Sequence, residues 1–370
     1  MIKYLGSKRK LVGVIGDITD VLMGGSSVGG TAVDLFTGTT RVAQELKRRG
    51  FYTYANDKAT YSEMFGKCYI DTNRDDVTSG MMVELRDVID HLINVGNDSL
   101  TGKTGSGGWF TQAYCHDARY FTVDNGVRID AIRRYIEEWY TDDWKYPILL
   151  TSLIEAADRV DSTVGVQMAY LKKYAARALI PLELRVPELL AGDGYTLRSD
   201  ALEALDKIAN VSPGGIDVCY LDPPYNQHSY YGNYHIWESL VRWDEPDGYG
   251  VANKRLDVRD AENKSDFNSK RRAYDALKAV VRKSAQVSRN VILSYSNEGF
   301  LTYDDIYGML SGLYGANNIA VLPIENDRYI GHKIGVYGPN GRAGGARGSE
   351  GDNKNVEYIF IAGADVERLR

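Results

Sequence analysis

Residues 221–226 read Leu-Asp-Pro-Pro-Tyr-Asn and follow an apolar run that begins at Ile216. Two consecutive prolines remove two backbone donors and fix two φ angles, and the residue before each proline is pushed towards an extended conformation. The loop is therefore stiff, and it holds the Asp222 carboxylate, the Pro223 carbonyl and the Tyr225 ring in fixed relative positions. This arrangement offers two hydrogen-bond acceptors beside an aromatic face, although an ordinary proline turn after a strand explains the tetrapeptide equally well.

The turn at residues 37–40 is a second candidate site. It contains Gly38, follows an apolar stretch that carries Asp34, and precedes a stretch that ends at Asp57. Glycine lets a backbone approach a ligand closely, and an acid after the second strand of a doubly wound sheet can accept hydrogen bonds from a ribose. The turn lacks both G-x-G-x-x-G and G-x-x-x-x-G-K-[ST], the two glycine patterns that bind phosphate. Asp34 instead suits a cationic or amino-bearing ligand, and the alternative is a tight turn with a capping aspartate.

The hydrophobic pattern predicts the elements that must position these residues. Residues 31–36, 41–49 and 51–55 read as the strand, helix and strand of a β-α-β unit. Apolar spacing predicts further helices at residues 82–95, 128–140, 163–179 and 274–287, and strands at 216–221, 291–295, 319–322 and 356–361. Strands that alternate with helices indicate an α/β fold with a doubly wound, mostly parallel sheet. The last two strands predict an antiparallel hairpin, and the glycine-rich residues 338–355 predict a loop.

Basic residues are concentrated in one stretch of an acidic chain. The formal net charge is −6, yet residues 254–289 hold eleven Lys and Arg and five Asp and Glu, which leaves −12 for the rest. A basic face suits phosphate contacts, although a solvated, charged helix surface is the simpler explanation.

Several classes of protein are disfavoured by what the sequence lacks. No run of about 18 apolar residues predicts a membrane span, and no apolar segment follows the charged N-terminus as in a secretory signal. The cysteines at positions 68, 115 and 219 and the five histidines do not have the spacing of a disulfide framework or of a metal site. We therefore expect a cytoplasmic protein without a metal or a membrane partner.

The order of these motifs resembles the D12 class of adenine-N6-specific DNA methyltransferases. KYLGSKRKL (3–11) is similar to that family's N-terminal cofactor motif, DLFTGTTRVA (34–43) to its glycine motif and ANDK (55–58) to its ribose-binding strand end. SDALEAL (199–205) is similar to its adenine-contacting motif, and LDPPYN is its catalytic motif, followed by YYGNYHIWESL (230–240) and SYSNEGF (294–300). One position departs: Thr40 stands where many relatives have the last glycine of F-x-G-x-G, which we interpret as tolerable variation.

The resemblance implies a fold, a cofactor and roles for individual residues. The fold would be the mixed, doubly wound sheet of class I S-adenosylmethionine-dependent methyltransferases, with a helical insertion. The cofactor would be S-adenosyl-L-methionine, without a metal. The implied catalytic residues are Asp222, Pro223, Pro224 and Tyr225. The implied cofactor-binding residues are Tyr4, Lys8, Asp34, Phe36, Gly38, Asp57, Asp200 and Asp222. For Asp200, the less favoured alternative is the cap of the helix that begins at Ala201.

The resemblance also implies double-stranded DNA as the partner and a base flipped out of the duplex. The residues expected to contact DNA are Asn226, Lys254, Arg255, Arg259, Lys270, Arg271 and Arg272. We expect residues 1–60 and 191–370 to form the catalytic domain, residues 61–190 to form a mainly helical insertion that takes part in DNA recognition, and the basic segment 245–290 to contact DNA. A monomer is the expected state, with or without a cognate restriction endonuclease.

Other functions stay open on the sequence alone. The same pocket geometry suits N4 of cytosine, and RNA is a further substrate class. A non-catalytic DNA-binding subunit that keeps the fold is the alternative from another class, although the intact Asp222, Tyr225 and Gly38 argue against it. A nicotinamide enzyme is disfavoured because G-x-G-x-x-G is missing.

Overall fold

The computed structural model describes residues 2–6, 8–101, 107–212, 214–327 and 354–370. Seven strands form the main sheet in the order β3-β2-β1-β4-β7-β9-β8, and β5 and β6 form a separate two-stranded hairpin. The strands are β1 Thr31–Asp34, β2 Tyr52–Asp57, β3 Gly194–Arg198, β4 Ile216–Leu221, β5 Gly248–Tyr249, β6 Lys254–Arg255, β7 Ser288–Ser296, β8 Ile319–Asp327 and β9 Lys354–Gly363.

Five neighbouring strands of the main sheet, from β3 to β7, run parallel. Asp34 at the end of β1 pairs in register with Ala55 of β2 and with Tyr220 of β4. The residues that follow these three strands therefore meet at one edge of the sheet, where parallel α/β sheets bind their ligands. The predicted β-α-β unit is confirmed, and with it the convergence of Asp34, Asp57 and Asp222.

The far end of the sheet is antiparallel. Strand β9 pairs antiparallel with both β7 and β8, so the predicted C-terminal hairpin is confirmed, although residues 328–353 lie outside the described part of the chain. Because β9 runs opposite to β7, its first residues lie at the carboxyl edge of the parallel strands. Ser296 of β7 pairs in register with Glu357 of β9.

Helices cover both faces of the sheet. Alternate strand residues pack on either side: Ala32 and Val218 contact the cluster of α1 and α2, whereas Val33 and Cys219 contact that of α8, α11 and α12. The helices are α1 Val12–Leu22, α2 Arg41–Arg48, α3 Thr60–Gly66, α4 Ser79–Asp98, α5 Trp109–Thr111, α6 Val123–Tyr140, α7 Tyr146–Arg159, α8 Ala201–Val211, α9 Tyr230–Asn233, α10 His235–Arg242, α11 Ala273–Val287 and α12 Tyr303–Tyr314. This is the mixed α/β architecture of a class I methyltransferase.

Helices α3 to α7 lie between β2 and β3 and form the helical insertion. Their buried side chains belong to one apolar cluster together with Ile2, Ala43 and Ala55 and with Ile236 and Trp237 of α10. The insertion therefore has no separate core in the described part of the chain. It packs directly on the elements that carry the first turn and on the helix that follows the Asp-Pro-Pro-Tyr loop.

The predicted helix at residues 163–179 is wrong. Only Ala176–Leu179 forms a short 3-10 helix there, and Gly165 has a φ of +100°. Thr163 donates its hydroxyl to Asp161 at 2.7 Å and accepts the Gly165 N–H at 3.0 Å. Local bonds from threonine to the backbone compete with helix formation, and they outweighed the apolar spacing of the segment.

In the part of the chain that the structure describes, no helix has the length and apolar character needed to cross a membrane.

Candidate active site

One cavity of about 810 Å³ opens at the carboxyl edge of the parallel strands. It is lined by residues from the N-terminal segment, the first turn, the end of β2 and the Asp-Pro-Pro-Tyr loop, and it is covered by residues 261–268. Pockets of a few hundred to about 1,000 Å³ hold small-molecule ligands. The expected cofactor-binding residues Tyr4, Lys8, Asp34, Phe36, Gly38, Asp57, Asp200 and Asp222 all line it.

Asp34 is a buried carboxylate with one oxygen in use and one without a partner. Its Oδ2 accepts the Thr37 hydroxyl at 2.9 Å and the Ala43 N–H at 3.0 Å, whereas its Oδ1 is buried without a hydrogen bond among the described residues. Burial raises the pKa of Asp34 to about 7, against the two hydrogen bonds that lower it. An unpaired buried oxygen is costly, so this atom fits a ligand that donates a hydrogen bond or carries positive charge.

The first turn is fixed by hydrogen bonds to the Asp57 carboxylate. Its Oδ2 accepts the Gly38 N–H at 2.9 Å and its Oδ1 accepts the Ala59 N–H at 3.0 Å. Gly38 has a φ of +50°, and a Cβ atom there would lie only 3.0 Å from the Tyr4 ring. The glycine is therefore required both by the backbone conformation and by the close approach of Tyr4.

The N-terminal segment is fixed over the turn by tyrosines. The Tyr4 ring stacks on Tyr234 with ring centroids 4.5 Å apart, and its hydroxyl lies 3.2 Å from that of Tyr61. The Tyr234 hydroxyl accepts the Leu5 N–H. Tyr61 of α3 and Tyr234, which lies between α9 and α10, thus position Tyr4 at the wall of the cavity.

Thr40 explains the departure from the glycine pattern. It has a φ of +62°, a left-handed conformation that costs residues other than glycine about 1–2 kcal/mol. Its hydroxyl donates to Thr39 O at 2.7 Å and accepts from the Gln44 side chain at 2.8 Å. These bonds hold the threonine in a conformation that glycine adopts freely, and the turn keeps its shape.

Asp222 is paired with a lysine from the N-terminal segment. Lys8 Nζ lies 3.0 Å from Asp222 Oδ1 and 2.7 Å from Glu357 Oε1. Burial alone would lower the pKa of Lys8, but the charges of Asp222 and Glu357 hold it well above its ordinary value. Burial raises the pKa of Asp222 to about 6, with Lys8 acting to lower it and Glu357 to raise it.

The rest of the Asp-Pro-Pro-Tyr loop is anchored by its neighbours. Tyr225 O accepts the Phe300 N–H at 2.8 Å, and the Tyr225 ring makes an edge contact with Tyr295 at 5.9 Å between centroids. Pro223 is buried, Pro224 lines the cavity, and the Pro223 carbonyl accepts no hydrogen bond from a described residue. Asp222 and Pro224 line the cavity, whereas Pro223 and Tyr225 are not among its lining residues.

Asp200 and Phe36 lie at the outer wall of the cavity. Asp200 caps α8 by accepting the Leu202 N–H at 3.1 Å, so the capping role is confirmed. Its exposed carboxylate also lines the cavity. Phe36 makes an edge contact with Phe267 of the covering segment, with centroids 5.4 Å apart.

The family model of the D12 class N6 adenine-specific DNA methyltransferases matches residues 4–305. The chain belongs to this family. Modification methylase StsI of Streptococcus sanguinis is 31% identical to it over 319 residues, which are 83% of this chain and 46% of that protein. Type II methyltransferase M.NlaIII of Neisseria lactamica is 30% identical over 314 residues, 82% of this chain and 86% of that protein.

Type II methyltransferase M.FokI of Planomicrobium okeanokoites is 28% identical over 317 residues, 83% of this chain and 46% of that protein. The D12-class chain thus spans about half the length of StsI and M.FokI and most of the length of M.NlaIII.

The structure does not support the expected DNA contact of Arg255 in this D12-class methyltransferase. Its side chain is 1% exposed, and its guanidinium lies 2.7 Å from Asp244 and 2.8 Å from Asp257. A buried cation with two carboxylate partners is not available to a phosphate. Arg255 instead fixes the hairpin that follows α10.

The other candidates lie nearer to solvent. Lys270 and Arg271 are exposed, and neither forms an ion pair with any residue that the structure describes. Arg272 is paired with Asp266 at 3.1 Å, and Arg259 lies over the Tyr249 ring at 4.0 Å. Lys254 and Asn226 are partly buried, and burial lowers the pKa of Lys254.

Glu357 and the aromatic residues around Tyr4 were not predicted from the sequence as parts of the site. Glu357 lies beyond the residues that the family model matches, and only an acid within the apolar final strand could have indicated it. Tyr61, Tyr230 and Tyr231 also line the cavity. Tyr230 and Tyr231 open the YYGNYHIWESL segment, to which no contact was assigned, and no spacing distinguishes Tyr61 within a chain of 27 tyrosines.

Proposed function

We propose that this chain transfers a methyl group from S-adenosyl-L-methionine to N6 of an adenine flipped out of double-stranded DNA. One observation carries the proposal: Asp34, whose Oδ1 is buried without a hydrogen bond among the described residues, and Asp222 line the same cavity. Asp34 is suited to a cationic methyl donor, and Asp222 is suited to the amine that receives the methyl group. Membership of the D12 class supports adenine as the base.

The residues of the cavity fit the cofactor. Asp34 Oδ1 would accept the amino group of its methionine part, and the glycine turn at Gly38 leaves room for it to approach the backbone. Asp57 would face the ribose and Asp200 the adenine amino group. S-adenosylmethionine supplies an activated methyl group when it is bound, so the protein has mainly to bind, orient and desolvate the reactants.

Asp222 and Pro223 would prepare the amine for attack. An exocyclic amine is a weak nucleophile because its lone pair is delocalised into the ring. Two acceptors aimed at its two hydrogens favour a pyramidal nitrogen with a localised lone pair. As N6 takes the methyl group from the sulfonium, whose carbon–sulfur bond breaks, positive charge develops on N6. A fixed carboxylate would stabilise that charge until N6 releases a proton to solvent. Tyr225 would stack on the base.

Double-stranded DNA would reach this cavity by base flipping, which costs a few kcal/mol of unstacking. Contacts from Lys270, Arg271 and Arg272 to phosphates would offset that cost. The helical insertion, residues 61–190, is the proposed region of base recognition, and residues 1–60 and 191–370 form the proposed catalytic domain. The basic segment 245–290 is the proposed DNA-contacting part of that domain.

The decisive experiment is the identification of the methylated nucleoside. Unmethylated genomic DNA is incubated with the protein and labelled S-adenosylmethionine, digested, and analysed by mass spectrometry, with RNA in parallel. N6-methyladenine from DNA is the expected product. N4-methylcytosine alone, or methylation of RNA alone, would overturn the assignment of substrate. DNA binding without cofactor binding in calorimetry would indicate a non-catalytic subunit.

Replacing Lys270 and Arg271 together by glutamine is expected to weaken DNA binding and to flatten its salt dependence. Each phosphate contact contributes about 0.9 to the slope of log K against log salt, so the slope should fall by about 2. Fluorescence anisotropy between low and moderate salt measures it. Arg48→Gln is the matched control, because Arg48 is exposed at the far end of α2. An unchanged slope in the double variant would remove this surface from the DNA interface.

The names of the relatives support a place in a type II restriction–modification system. We propose that the chain acts as a monomer in the cytoplasm, because one flipped base needs one cavity, and that a restriction endonuclease of the same specificity accompanies it.

A further inference from the structure

A buried row of charges extends from the catalytic carboxylate into the sheet. Three adjacent strands supply it at their common edge: Asp222 follows β4, Ser294 lies on β7 and Glu357 lies near the start of β9. Lys8 lies between the two carboxylates, 3.0 Å from Asp222 and 2.7 Å from Glu357. The Ser294 hydroxyl donates to the same Glu357 oxygen. Lys8 and Glu357 are 6% and 7% exposed, and Ser294 is fully buried.

The position of Lys8 is unexpected for the proposed reaction. Positive charge would develop on the amine beside Asp222, and the carboxylate stabilises it only while its own charge is not cancelled. An ammonium at 3.0 Å opposes that effect, and it does so strongly because a buried pair is poorly screened by water. A second carboxylate on the far side of the ammonium restores a net negative charge to the row.

We propose that Glu357 is a positioning residue for methyl transfer, which holds the Lys8 ammonium and balances its charge so that Asp222 keeps the negative character that the reacting amine requires. This inference rests on the proposed function. Lys8 would orient the Asp222 carboxylate by donating to it, and the shorter of the two Lys8 contacts is the one to Glu357. Neither Lys8 nor Glu357 has to touch the base.

The surroundings of Asp222 allow a test by pH. The other titratable groups that act on it or that it acts on are Lys8 from the N-terminal segment, Glu357 from β9, Asp34 from β1, Tyr220 from β4, Tyr225 from its own loop and Tyr230 from α9. Asp222 must be ionised to accept, so the rate falls as the pH drops through its pKa. Glu357 raises that pKa and Lys8 lowers it.

Removing Glu357 and removing Lys8 should therefore shift the acidic limb of the pH–rate profile, where the rate falls at low pH, in opposite directions. In Glu357→Gln, loss of a negative neighbour lowers the pKa of Asp222, and the limb moves to lower pH by about one unit. The plateau rate falls about tenfold, because Lys8 then pairs with Asp222 alone. In Lys8→Met, loss of the cation moves the limb to higher pH. Single-turnover rates with saturating cofactor and DNA from pH 5 to 9 measure both.

Glu238→Gln is the control for removing a buried glutamate. Glu238 accepts the Thr60 N–H at 3.0 Å and is not among the residues that line the cavity, so its limb should coincide with that of the parent. Ser294→Ala, which removes a donor to Glu357, should shift the limb in the direction of Glu357→Gln by a smaller amount. It keeps the test informative if Glu357→Gln fails to fold.

Active variants whose acidic limbs coincide with that of the parent would overturn the proposal. So would limbs of Glu357→Gln and Lys8→Met that move in the same direction. An inactive parent protein would be a different result, because it would contradict the proposed methyl transfer itself and leave no limb to compare.

Discussion

Asp222→Ala is expected to lower the rate of methyl transfer by at least about 10²–10³-fold, the cost of removing one preorganised electrostatic contact from an active site. The physical reason is that the amine would lose the acceptor that localises its lone pair and the charge that stabilises it during attack. The measurement is transfer of labelled methyl groups to unmethylated genomic DNA in single-turnover conditions.

Two further observations separate chemistry from folding in that experiment. Affinity for the cofactor, measured by calorimetry, should stay within a few-fold of the parent, since Asp34 and the Gly38 turn are untouched. Asp217→Asn on the same strand is the matched control. Asp217 accepts the Thr31 N–H at 2.9 Å at the opposite edge of the sheet, so this variant should keep its activity. A rate in Asp222→Ala close to that of the parent would remove Asp222 from the chemistry.

Asp34→Asn is expected to weaken the binding of S-adenosylmethionine by about 100-fold, since a hydrogen-bonded charge pair of about 1.5–3 kcal/mol is lost. The sign of its pH dependence follows from the raised pKa. The free protein holds Asp34 with a pKa of about 7, and a cationic ligand favours the ionised form. Below that pH the carboxyl must release its proton on binding, so affinity falls about tenfold per pH unit.

Calorimetry between pH 5.5 and 8.5 tests this directly. The parent protein should lose affinity below about pH 7 and Asp34→Asn should not, because the amide does not titrate. Thermal unfolding of the variant controls for the two hydrogen bonds that Asp34 Oδ2 accepts. A parent affinity that is independent of pH would show that the unpaired oxygen does not bind the donor's charge.

The sequence predicted the residues of the site better than it predicted their surroundings. Asp34 and Asp57 end their strands and Asp222 follows one. Parallel strands order such residues along one edge, so local pattern was sufficient to bring them together. For Asp200, the position before a helix gave the cap as the alternative to a cofactor contact, and the structure has that cap.

Contacts between distant segments were not predictable in this way. Glu357 meets Lys8 across nearly the whole chain, and neither residue carries a spacing that points to the other. Arg255 belonged to a basic stretch, but its burial depends on Asp244 and Asp257 folding around it. The prediction of a helix at residues 163–179 was wrong for a related reason. The backbone N–H groups of Ser162 and Gln167 bond to residues that are remote in the sequence, and not to the preceding turn of a helix.

The shared core of the insertion and the sheet limits how new specificities can arise in this lineage. Ile2 and Ala55 from the catalytic elements pack in the same apolar cluster as the buried residues of α4, α6 and α7. An insertion taken from a relative would therefore bring a mismatched interior with it, and exchange of whole segments should be rare. With the role in base recognition that we propose for the insertion, new target sites should arise instead by gradual substitution of its outward-facing residues, while the inward-facing ones change slowly and in concert with the sheet.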